Sequence, residues 1–83
     1  MDQYKEIREV LLQQPGRALS LNDMYDVIDK VIYTTLKSKP SRTVAYFAKY
    51  GPIIGKLEKS GILIPSPHAQ KWKIKNKNDN KNI

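Results

Sequence analysis

Between Asp2 and Gln14 the apolar residues Tyr4, Ile7, Val10 and Leu11 recur every three or four positions, and Lys5, Glu6, Arg8 and Glu9 fall between them. That period gathers the apolar side chains into one stripe and predicts an amphipathic helix over 2–14, which Pro15-Gly16 ends. Ser20 stands three residues before Asp23, the spacing at which a hydroxyl and a carboxylate satisfy the free amides of a first helical turn. Leu21, Met24, Tyr25, Ile28, Val31, Ile32 and Leu36 continue behind it at helical spacing, so a second helix is expected over 21–36. Asp23, Asp26 and Asp29 are read as its solvated face rather than as catalytic carboxylates.

Lys37-Ser38-Lys39-Pro40 is a polar connector, with Ser41 as the candidate N-cap of the next helix. From Arg42 to Ser60, Val44, Phe47, Ile54 and Leu57, with Tyr46, Tyr50 and Ile53 beside them, again follow a helical period. Gly51-Pro52 interrupts it, because proline lacks an amide hydrogen and disfavours helix in the residue before it. Either one helix kinks there, or a helix over 42–50 stops at Gly51 and another begins at Pro52; the break is the expected outcome. After Gly61, Ile62-Leu63-Ile64 is β-rich, 65–70 is turn-like, and Lys71-Trp72-Lys73-Ile74-Lys75 alternates strictly. This reads as a hairpin with Trp72 and Ile74 on the core and three lysines in solvent.

Eighty-three residues give room for one domain, placed over 1–75, and the Asn/Lys-rich stretch 76–83 is expected to be a flexible tail. With no cysteine, the chain has no disulfide, thiolate metal site or cysteine nucleophile. It has no bilayer-length apolar run and no apolar leader at Met1–Glu6, so a cytoplasmic protein without membrane contact is expected. The net charge of +7 is one-sided. Residues 1–36 carry four basic against six acidic residues, and residues 37–83 carry eleven against two. Any basic partner surface therefore lies in the second half.

Three helices followed by a hairpin resemble the winged helix, a helix-turn-helix variant. The likeness is carried by Leu57, Glu58-Lys59, Gly61 and Ile62-Leu63, which match the family's core leucine, charged pair, glycine and aliphatic pair where the recognition helix gives way to the wing. The expected fold is therefore α+β, mainly helical, with three to four helices followed by a C-terminal β-hairpin wing. The resemblance implies that the segment ending at Ser60 lies in the major groove of duplex DNA. Lys49, Lys56 and Lys59 would then be its exposed cations, Ser41, Arg42 and Thr43 would lie near its start, and Lys71, Lys73 and Lys75 would be wing contacts. Lys37 and Lys39 add phosphate contacts that position without specifying.

Each feature has an ordinary reading beside the functional one. The lysines also suit a solvated helix face, and a charged edge strand also guards against aggregation. Tyr46, Phe47 and Tyr50 are expected in the core rather than as a stacking platform for bases. Trp72 is expected to anchor the hairpin, and His68 is expected as an exposed wing-tip residue with no companions for a metal. No phosphate-binding glycine loop, nucleophile elbow or zinc spacing is present, so neither an enzyme nor a cofactor is expected. The favoured reading is a small transcriptional regulator binding double-stranded DNA, with a homodimer through the first helix as one mode, although that helix's stripe is equally explained by the core. A winged helix serving as a protein-contact module or complex subunit, and a structured-RNA binder, are the alternatives. The Asn/Lys/Ile-rich composition fits an AT-rich genome, such as a viral or plasmid one.

Overall fold

The apolar stripes close on one another. The computed structural model describes residues 3–66 and 71–76, in the order α1 (Gln3–Leu12), β1 (Ala18–Leu19), α2 (Leu21–Leu36), α3 (Val44–Lys59), β2 (Leu63–Pro65) and β3 (Trp72–Ile74). Ile7 and Leu11 of α1 are fully buried against Met24, Ile28 and Ile32 of α2, with Leu19, Leu57, Leu63, Trp72 and Ile74 completing the core. Ser20 caps α2 as expected: its hydroxyl accepts from the Asp23 amide at 3.1 Å, and the Asp23 carboxylate accepts from the Ser20 amide at 3.1 Å. These hydrogen bonds hold the Asp23 carboxyl below the usual carboxylate range.

The sheet is antiparallel with strand order β1-β3-β2, so the hairpin's second strand lies between the first and a strand from the α1–α2 connection. The architecture is α+β and mainly helical, three helices and a C-terminal hairpin completed by β1, and it is consistent with a winged helix. β1 was not expected from the sequence. It is two residues long and follows Gly16, whose φ of 81° turns the chain so that its amide donates to the Ile74 carbonyl at 2.9 Å.

The third helix differs from expectation in three ways. It runs unbroken from Val44 to Lys59 with Pro52 inside it, rather than stopping at Gly51. An interior proline costs about 3 kcal/mol. A break would turn one half away from the core, and burial of Tyr46, Tyr50, Ile54 and Leu57 on one continuous face, at about 1.5–3 kcal/mol per large side chain, outweighs that cost. The helical phase differs as well. Tyr46 and Tyr50 are the buried residues of the first half, whereas Val44 is 87% exposed and Phe47 is 42% exposed with its ring edge-on to Tyr25 and Tyr46. The N-cap is Thr43 and not Ser41: the Thr43 hydroxyl accepts from the Tyr46 amide at 3.2 Å.

The helix ends as the Gly61 motif implies. Gly61 has φ 84°, its amide donates to the Glu58 carbonyl at 3.1 Å, and the Ile62 amide donates to the Leu57 carbonyl at 3.1 Å. These are the two bonds of a Schellman motif, with buried Ile62 and Leu57 forming its apolar pair. Leu57 and Gly61-Ile62-Leu63 thus recur in the resemblance for a physical reason: they end a helix and start a strand in one turn.

Candidate nucleic-acid interface

The solvent side of α3 follows from its phase. With Tyr46, Tyr50, Ile54 and Leu57 inward, Val44, Ala45, Ala48, Pro52, Lys49, Lys56 and Lys59 are exposed. Lys49 and Lys56 lie seven residues apart, two helical turns, so both stand on one flank. The Lys49 ammonium lies 5.4 Å from the Tyr50 ring centre and that of Lys56 lies 4.6 Å from the Tyr4 ring centre. Both stems rest on aromatic surface and both residues stay exposed.

The hairpin joins this helix directly. The Trp72 indole Nε1–H donates to the Glu58 carboxylate at 2.6 Å, tying the last turn of α3 to β3. Glu58 is the acid of this helix, and that contact engages it. Trp72 and Ile74 face the core and Lys73 faces solvent, as the alternation predicts. Lys71 is exposed with its ammonium 5.4 Å from the Trp72 ring centre, and Lys75 is half-buried, its amide bonded to the Ile62 carbonyl. The outer row of the sheet is Ala18, Lys73 and Ile64, paired across the strands. His68 and the rest of 67–70, and the tail from 77 on, lie outside the described residues.

Arg42 is placed differently from the free cation expected near the helix start. Its Nε and Nη2 donate to one oxygen of Asp29 at 3.2 and 2.8 Å, and Nη2 also donates to Asp26 at 2.8 Å. The Tyr46 hydroxyl donates to the other oxygen of Asp29. Asp29 first and Asp26 second raise the guanidinium pKa further, so its charge is spent inside the chain. Burial, then the bond to Asp29, pushes the Tyr46 phenol above its ordinary value. Asp29 is therefore not part of a solvated face; it is buried. A signal for this was present in the sequence. Asp29 stands four residues after Tyr25 and three before Ile32, on the buried stripe rather than opposite it.

A comparison with protein-family models, with curated proteins and with solved structures finds no match to this chain. The residues themselves therefore carry the functional argument.

Of the remaining expected contacts, Ser41 is exposed ahead of α3 and the Thr43 hydroxyl is engaged as its cap. Lys37 takes a left-handed backbone, φ 59°, at the end of α2, and Lys39 lines a shallow groove with Asp26, Asp29, Lys30 and Tyr33. Among the described residues, no group of three or more His, Cys, Asp or Glu is placed to hold a metal ion. No described helix is long and apolar enough to cross a membrane.

Proposed function

We propose that this chain is a winged-helix protein that binds duplex DNA and acts as a small transcriptional regulator. The observation that carries this reading is the charge left free once internal pairing is complete. Arg42 is neutralised by acids of α2, Glu58 is held at the hairpin by Trp72 with its charge retained, and among the described residues the other exposed cations of the second half are lysines on α3, on the connector before it and on the strand bonded to it. A helix with cations along one flank can seat in a major groove against one phosphate row, and a basic hairpin beside it suits the adjacent backbone. α1 spends Ile7 and Leu11 in its own core, so its stripe supplies no separate argument for a homodimer.

The test is fluorescence anisotropy of a labelled 30-base-pair duplex at several salt concentrations, with single-stranded DNA and double-stranded RNA as controls. Binding should prefer duplex DNA and weaken with salt by a log–log slope of about −0.9 per contacted phosphate. Lys56→Glu and Lys59→Glu should each weaken binding and flatten that slope in a protein that stays folded. Absence of binding to every nucleic acid at low salt would overturn the proposal and favour a protein-contact module, for which the exposure of Val44 and Phe47 would then be the lead.

A further inference from the structure

The solvent face of α3 is poor in the side chains that hydrogen-bond base edges. Arg, Asn and Gln do not occur between Val44 and Lys59, which leaves lysine, at the flank and the C-terminal end, as the base reader of that face. In their place Val44, Ala48 and Pro52 stand four residues apart along one exposed row, with Ala45 beside them. Val44, at 87% exposed, is the most exposed of the large apolar side chains among the described residues. Gly55 continues the face one turn on, and a Cβ built there meets no heavy atom within 4 Å, so nothing of the chain overhangs it.

This apolar row is bordered by cations. Lys49 and Lys56 run along one flank and Lys59 stands at its C-terminal end, so a fitting partner offers apolar groups beside a row of negative charge. The major groove offers both: thymine presents a C5-methyl group on its floor, and phosphates line its walls.

Resting on the duplex-DNA reading above, we infer that α3 selects thymine-rich major groove through methyl contacts from Val44, Ala48 and Pro52, with Lys49 and Lys56 on a flanking phosphate row. Small side chains serve this role because they let the helix lie deep enough for methyl–methyl contact. Selection of this kind is graded: it favours thymine tracts over a single fixed sequence.

The test compares one T-rich duplex with its counterpart in which deoxyuridine replaces thymidine, a change that removes the methyl and leaves every hydrogen-bonding group in place. Affinity should fall about fourfold per contacted methyl, the equivalent of about 0.8 kcal/mol at 1.4 kcal/mol per tenfold. Val44→Ser, at an exposed position that leaves the fold intact, should lose part of the thymine preference while binding the uracil duplex as the unaltered chain does. A preference that persists unchanged in Val44→Ser would come from duplex mechanics and would overturn the inference. Equal, salt-sensitive binding of both duplexes would overturn it while sustaining the DNA-binding proposal. Binding to neither would sink both.

Discussion

Replacing Asp29 by alanine should destabilise the protein far more than replacing Asp26, although both carboxylates meet the same guanidinium. The Asp29 side chain is 11% exposed and that of Asp26 is 68% exposed. Without Asp29, the hydroxyl of Tyr46, itself 5% exposed, loses its acceptor inside the core. An orphaned buried polar group costs about 1–3 kcal/mol. Arg42 retains Asp26 and is 30% exposed, so loss of its second partner adds no more than about 1 kcal/mol after solvent screening. The sum is about 1–4 kcal/mol, a large share of the roughly 4–12 kcal/mol that holds a domain of this size. Asp26→Ala, by contrast, should cost about 0.5 kcal/mol or less. Urea unfolding followed by Trp72 fluorescence reads both: with a slope near 1 kcal/mol/M, the Asp29→Ala midpoint should drop by about 1–4 M. Adding Tyr46→Phe should recover at least about 1 kcal/mol, because it removes the orphaned hydroxyl. Equal midpoints for Asp29→Ala and Asp26→Ala would refute this reasoning and mean that the desolvation of Asp29 cancels its bonds.

Three further outcomes are set by the packing. Leu57→Ala should cost about 2–5 kcal/mol as a truncation of a fully buried side chain, and an unchanged melting temperature would contradict the phase of α3. Pro52→Ala should raise stability by about 1–3 kcal/mol by restoring an amide within a continuous helix; a loss measured by thermal denaturation would mean that the proline sets a needed bend. The raised pKa of Tyr46 stabilises the fold fully below the ordinary tyrosine value of 10.0 and loses that contribution as pH climbs beyond it, since the unfolded chain ionises first. Tyr46→Phe should therefore flatten the alkaline loss of stability in a pH series of urea midpoints, and parallel profiles for the two proteins would count against the assignment.

Where the sequence was legible, one local rule governed. The Ser20–Asp23 cap, the α2 stripe, the alternation around Trp72 and the Leu57–Ile62 stop each depend on residues within five positions of one another. The features that went unread depend on distant partners. β1 exists only because β3 offers it an edge, and a two-residue strand has no period of its own. Pro52 was weighed by its local cost, whereas the continuity of α3 is decided by a core assembled from α1, α2 and the sheet. Arg42 counted as a free cation because its partners lie thirteen and sixteen residues upstream.

That pairing also bears on the candidate interface. The acids of α2 capture the one arginine beside the α3 N-terminus and leave every cation exposed on α3 a lysine. Lysine meets phosphate as a mobile point charge, whereas arginine offers a fixed fork suited to a single guanine edge. On the proposed DNA-binding reading, lysines along one flank of an apolar row would hold duplex backbone while the row samples base composition in the groove. If Asp26 and Asp29 were both replaced by alanine, the freed guanidinium of Arg42 would add a cation near that helix start. Were α3 seated in the groove, nonspecific duplex affinity should then rise even as the fold weakens, two effects that binding and unfolding measurements on the same protein would separate.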